Sequence, residues 1–129
     1  MANAPDILLV DDNPQNLELL SAYLEDLTDS GGTIRMAKDG LEALREVEAK
    51  APDLILLDVM MPRMSGFQFC SKLKGQPATK HIPIMMVTAL NEVTDVERAT
   101  ECGADDFVSK PVNRIELLGR VRTLLARKK

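Results

Sequence analysis

Apolar residues along this chain fall into two rhythms. Residues 7–10 (Ile-Leu-Leu-Val), 54–57 (Leu-Ile-Leu-Leu) and 84–87 (Ile-Met-Met-Val) are unbroken apolar runs with no polar alternation. Runs so short and so uniformly apolar suit strands buried on both faces, as in a parallel sheet covered by helices. Residues 33–37 alternate instead, with Ile34 and Met36 set against Thr33 and Arg35, which predicts a half-exposed strand at the edge of the sheet. Residues 106–109 supply a short last strand.

Between these runs the period changes to that of a helix. Leu17, Leu20, Leu24 and Leu27 recur at helical spacing behind an N-cap at Asn13 and a proline at the first helical position, Pro14. Residues 29–32 break the pattern as a loop. Asp39 and Glu42 form a capping-box pair ahead of a buried stripe at Leu41, Leu44 and Val47, and Ala51 and Pro52 end that helix. Phe67, Phe69, Cys70 and Leu73 mark a helix over 65–74, and a polar connection over 76–83 follows it. A helix over about 92–102 closes at Gly103, and Asn113 with Glu116 caps a last helix turned inward by Leu118, Val121 and Leu125.

Five strands alternating with five helices, joined by right-handed crossovers, make an α/β fold: a doubly wound (βα)5 three-layer sandwich. The three most apolar runs belong in the middle of a parallel five-stranded sheet and the alternating strand at an edge. That is strand order 2-1-3-4-5, the flavodoxin-like order. The 129 residues are one domain's worth, so residues 1–129 are read as a single domain with its core over about 6–125.

Charge and cysteine content narrow the field. A formal net charge of −4 gives no general attraction to nucleic acid or to an anionic membrane, and neither is expected as a direct partner. Cys70 and Cys102 lack CxxC spacing, and the single His81 cannot complete a zinc set with them, so buried or half-buried thiols in a reducing compartment are expected. The N-terminal Met-Ala-Asn-Ala-Pro-Asp has no basic or apolar signal region, and no apolar run approaches a membrane span. The expected location is the cytoplasm.

The predicted strand ends gather the chemistry. Asp11 and Asp12 follow the first strand, Asp58 ends the third, Thr88 ends the fourth and Lys110 follows the fifth, all at the C-terminal edge where ligands of open α/β sheets sit. Strands one and three are neighbours at the switch point, so their acids converge. Three carboxylates in one cleft repel one another, and a hard cation with oxygen ligands relieves this; Mg²⁺ is the natural choice where a phosphoryl group supplies further oxygens. Lys110 adds a mobile positive charge and Thr88 a hydroxyl donor. The set suits transfer of a phosphoryl group to a carboxylate, where positioning and charge neutralisation do most of the catalysis.

Asp11-Asp12, Asp58 within Leu-Leu-Asp-Val-Met-Met-Pro-Arg-Met-Ser-Gly, Thr88-Ala89 and Lys110-Pro111 together resemble the receiver domain of two-component response regulators, over about residues 6–125. The resemblance implies that Asp58 is the phosphoacceptor and that Asp12 and the Met60 carbonyl join it as direct Mg²⁺ ligands, with Asp11 holding the metal through water. It implies that Lys110 contacts the acyl phosphate, that Thr88 hydrogen-bonds it, that Phe107 is the aromatic switch residue, and that the Lys110–Pro111 peptide bond is cis. The implied partners are a sensor histidine kinase or histidine phosphotransfer protein upstream, and an output protein or fused output domain downstream. Such a protein is not a conventional enzyme, yet it catalyses its own phosphorylation and a slow autodephosphorylation. Phe107 replaces the tyrosine of many members, and Ser65 stands where aspartate is frequent.

Other readings compete. A haloacid dehalogenase-type phosphatase needs a second acid two residues after the nucleophile, where this chain has Met60. A nucleotide or flavin binder needs a glycine-rich first loop, where this chain has Asp-Asp-Asn-Pro. The remaining alternative is a constitutive receiver-like interaction module that is never phosphorylated. Met60 and Leu90 border the approach of a hydrolytic water and cannot hold one by hydrogen bonding, which predicts slow loss of phosphate.

Overall fold

A computed structural model of the chain describes residues 5–28, 32–58, 66–88, 101–109 and 112–127. Its strands are β1 (Asp6–Val10), β2 (Thr33–Ala37), β3 (Leu54–Asp58), β4 (Ile84–Thr88) and β5 (Asp106–Ser109). The helices among the described residues are α1 (Pro14–Thr28), α2 (Gly40–Ala49), α3 (Gly66–Lys74) and α4 (Arg114–Arg127). All strand pairings are parallel and the order is β2-β1-β3-β4-β5. This is the doubly wound, flavodoxin-like sheet that the apolar runs predict. The helix expected over 92–102 lies outside the described residues apart from its last two positions; Gly103, just past them, has the expected positive φ of 92°.

The sheet divides the interior in two. Ile7, Leu9, Leu54, Leu56, Met85 and Val87 face Leu17, Leu20 and Leu24 of α1 and Leu117, Leu118, Val121 and Leu124 of α4. Leu8, Val10, Ile55, Leu57, Ile84 and Met86 face Ala43 and Val47 of α2 and Phe67, Phe69, Cys70 and Leu73 of α3. Successive strand residues point to opposite faces, so an unbroken apolar run is what a strand covered on both sides requires. A Leu→Ala change at a site such as Leu56 or Leu57, both essentially inaccessible, costs about 2–5 kcal/mol in cores of this kind. The Leu27 side chain lies outside the described ones.

Helix starts follow the predicted caps. The Asn13 side chain accepts from the Gln15 N–H at 2.9 Å and its carbonyl from Leu17 at 3.2 Å. The Asp39 side chain accepts from the Glu42 N–H at 2.9 Å, while the Glu42 carboxylate accepts from the Lys38 N–H at 2.9 Å. Asn13, Asp39 and Asn113 thereby take up N–H groups that a helix start leaves without internal partners.

Two amphipathic assignments are corrected. In β2 the exposed apolar residue is Met36, at 46%, and Arg35 is the one drawn in. Period two tells which residues share a face but not how deep that face lies. Arg35 shares its face with the buried Ala37, under α2, where its charge is met by Asp6 and by the last-turn carbonyls of that helix. In α2 the buried stripe is Gly40, Ala43 and Val47 with Leu44 partly buried, while Leu41 is 46% exposed. Residues 40, 43, 44 and 47 recur at three- and four-residue spacing on one helix face, and Leu41, one position round from Gly40, falls beside it.

Candidate functional site

The acids are positioned by backbone before any ligand is considered. The Asp11 N–H donates to the Ala37 carbonyl at 3.1 Å, extending the β1–β2 pairing by one step, and its Oδ1 accepts from the Asn13 N–H at 2.9 Å. That Asx turn swings the chain from β1 into α1 and leaves Asp11 buried, at 1% exposure, and Asp12 exposed. Asp58 ends β3 with 5% exposure, opposite Val87 of β4. Because Val10 pairs with Leu57, the next residue on each strand, 11 and 58, emerges side by side.

One ligand oxygen from each of Asp11, Asp12 and Asp58 lies within 4.8 Å of the others. Two of these acids are buried. At that separation unit negative charges repel by about 3 kcal/mol for an effective dielectric near 20. Three carboxylates with oxygen-only donor atoms are the set a hard divalent cation takes, and such a cation cancels the repulsion. The residues present therefore fit Mg²⁺.

The fourth and fifth strands close the same edge. Thr88 ends β4 beside Ser109, the last residue of β5. The Thr88 side chain, Met60, Lys110 and Pro111 lie outside the described ones, as does the Lys110–Pro111 bond. Phe107 is half-buried and packs against the core on the α2–α3 side. Beside the acids, α1 leaves a cavity of about 290 Å³ lined by Leu19, Tyr23, Val87 and Val112 and reaching Asp11.

Sequence reasoning missed three features. It did not anticipate that cavity, although Leu19 stands off the buried Leu17, Leu20 and Leu24 stripe and is 45% exposed. It did not find the Arg35 cluster, because a charged residue on an edge strand reads as solvated. Nor did it bring Cys70 and Cys102 together: the Cys70 Sγ donates to the Cys102 carbonyl at 3.3 Å across 32 positions of sequence. Only the topology makes those two neighbours.

A parallel 2-1-3-4-5 sheet with three acids at the C-terminal ends of its first and third strands defines an α/β protein with an acidic edge. The response regulator receiver domain family model matches residues 7–122, and the chain belongs to that family. It is 46% identical over 118 residues to the response regulator PleD of Caulobacter vibrioides, covering 92% of this chain and 25% of PleD. It is 39% identical over 123 residues to the DNA-binding dual master transcriptional regulator RpaA of Synechocystis, covering 95% of this chain and 50% of RpaA. The chain thus spans about a quarter and a half of these two relatives. Among solved structures it resembles the signal receiver domain of a histidine kinase from Syntrophus aciditrophicus, with 41% identity, a TM-score of 0.86 and coverage of 95% and 91% of the two chains. The receiver domain of the sensor histidine kinase PA1611 from Pseudomonas aeruginosa, solved with a magnesium ion coordinated in its active-site cleft, is 30% identical with a TM-score of 0.84 over 95% and 98%.

Proposed function

We propose that this receiver is switched by phosphorylation of Asp58. One Asp58 oxygen attacks the phosphorus of a partner phosphohistidine, or of a small donor such as acetyl phosphate, and the imidazole or acetate leaves. The observation that carries the reading is the convergence of Asp11, Asp12 and Asp58 within 4.8 Å, with Asp58 at the strand end. An unneutralised cluster of this kind repels an incoming phosphoryl group.

Asp12, Asp58 and the Met60 carbonyl would hold Mg²⁺ directly, with Asp11 holding it through water. Bound there, Mg²⁺ supplies charge neutralisation for the acids and for the transferring group. Asp11 is fixed by its Asx turn, which keeps the acidic edge in place before a donor arrives. Lys110 and Thr88 would take up the charge of the acyl phosphate. Phe107, half-buried, then turns inward behind Thr88, and the changed surface lies on β5, α4 and the segment over 92–102.

The partners of this reading are a sensor histidine kinase or histidine phosphotransfer protein and a downstream output protein or fused output domain, met in the cytoplasm. Residues 1–129 work as one receiver unit, and no helix among the described residues is long and apolar enough to cross a membrane. The absence of direct nucleic-acid contact is proposed for these residues alone, from their net charge of −4. The test is phosphorylation by acetyl phosphate or a phosphohistidine donor. Labelling requires Mg²⁺, and Asp58→Asn abolishes it; full labelling in EDTA, or equal labelling of the variant at the same site, overturns the assignment. A constitutive interaction module needs no metal and keeps its partner affinity unchanged across a Mg²⁺ titration.

A further inference from the structure

α3 and the turn before β5 are held together by more than apolar packing. Lys74, one helical turn beyond Cys70, donates to the Ile82 carbonyl at 2.7 Å and pairs with Asp105 at 2.8 Å. The left-handed Gly103 lies against the Lys74 stem so closely that a Cβ there would come within 3.0 Å of Lys74 Cγ. Between these fixed points sit the two cysteines of the chain, both reduced and in one core cluster, with the Cys70 Sγ donating to the Cys102 carbonyl at 3.3 Å. Folding has already met the entropic cost of bringing two thiols together from distant parts of the chain.

We propose that Cys70 and Cys102 form a reversible intramolecular disulfide when the protein meets a peroxide, tying α3 covalently to the turn that leads into β5. Cys102 reacts first, because it is the more accessible of the two at 6% against 0%. The neighbouring Cys70 thiol lowers the Cys102 thiol against the opposing effect of burial, and the Ala104 N–H also favours its thiolate. Cys70 is pushed up by its neighbour Cys102 and by burial, so Cys102 is the readier of the two to ionise.

The Cys102 sulfur attacks one oxygen of hydrogen peroxide and the O–O bond breaks. The departing hydroxide takes up a proton as water, leaving Cys102 as a sulfenic acid. Cys70 then attacks the Cys102 sulfur, the S–O bond breaks, and the hydroxide released takes the Cys70 proton as a second water. Two thiols lose two electrons to one peroxide, and a dithiol reductant reverses the step. Hydrogen peroxide is close to water in size, which suits a sulfur with little exposure.

The experiment treats the 129-residue chain with hydrogen peroxide, alkylates it under denaturing conditions and maps peptides by mass. The expected product is a monomer in which the Cys70 and Cys102 peptides are joined, two hydrogens lighter than their sum, with both alkylation sites lost and both restored by dithiothreitol. Reading the linked peptides keeps methionine oxidation from obscuring the result. Cys70→Ser, which keeps a hydrogen-bond donor beside Cys102 but cannot form the disulfide, should leave Cys102 as a sulfenic acid that dimedone traps; if that variant does not fold, the wild-type map decides alone. Two alkylated cysteines after treatment, Cys102 sulfinic acid with Cys70 still a thiol, or a bond formed only between two chains overturns the proposal.

Discussion

The guanidinium of Arg35 clasps the carboxylate of Asp6 at 3.0 and 3.1 Å, binding the middle of the edge strand to the first residue of β1. The same group donates to the Glu46 and Lys50 carbonyls at 2.9 and 2.8 Å at the C-terminal end of α2, where the Glu46 carbonyl also accepts from the Lys50 N–H at 3.1 Å. One side chain thus joins β1, β2 and the end of α2. Replacing it with methionine keeps bulk but leaves Asp6, only 10% exposed in its side chain, without this partner. Arg35→Met should lower stability by about 2 kcal/mol. Urea denaturation followed by circular dichroism checks this, and an unchanged midpoint would mean that solvent serves Asp6 as well as Arg35 does.

The acidic cluster is under electrostatic tension when no cation is bound. Asp58→Asn removes one of three charges gathered within 4.8 Å and should raise the thermal midpoint in EDTA, by an amount corresponding to about 1–3 kcal/mol. In saturating Mg²⁺ the gain should shrink or reverse, since the wild type alone keeps the full ligand set. Paired melts with and without the metal read this sign change directly.

Asp12 is exposed, so its substitution tests metal binding with little disturbance of the core. Asp12→Asn should weaken Mg²⁺ binding at least about tenfold, equivalent to ~1.4 kcal/mol, by isothermal titration or a fluorescent probe. Affinity equal to that of the wild type would place the ion elsewhere.

Beryllofluoride with Mg²⁺ should mimic the acyl phosphate and shift amide resonances across residues 88–122, with Phe107 among them. Its half-buried ring packs against the core on the α2–α3 side. Shifts confined to residues near 11, 12 and 58 would sever the acidic edge from the proposed signalling surface.

Phosphate loss tests the two side chains flanking the proposed water approach. Met60→Asn and Leu90→Glu, singly and together, should speed dephosphorylation, because each supplies a hydrogen-bonding group where the native residue has none. Decay of labelled protein measures it, and unchanged or slower loss in all three variants rejects the shielding idea.

Much of this was legible in residue order alone. Unbroken runs such as 54–57 announce a sheet covered on both faces, and Asn13, Asp39 and Asn113 announce helix starts, because these signals are local. The convergence of Asp11 and Asp58 was legible too, since parallel topology sends both strand ends to one edge. What stayed hidden depends on which distant surfaces meet. Arg35 reads as a solvent-facing charge until α2 is known to end above it, and Leu41 reads as core until Gly40, Ala43 and Val47 are known to form the face that meets the sheet. Cys70 and Cys102 carry no spacing signal, because their contact is made by α3 packing against a turn far along the chain.

The two apolar layers share no residue, although Leu56 and Leu57 are adjacent in sequence. The sheet therefore works as a bulkhead. A substitution that reshapes the α1–α4 compartment, where Tyr23 and Leu19 border the cavity, need not jostle the α2–α3 compartment in which Phe107 is seated. A lineage could thus retailor one flank to fit a new protein while leaving the other in its inherited shape, and drift on the two sides would be recorded as nearly separate histories within a single chain.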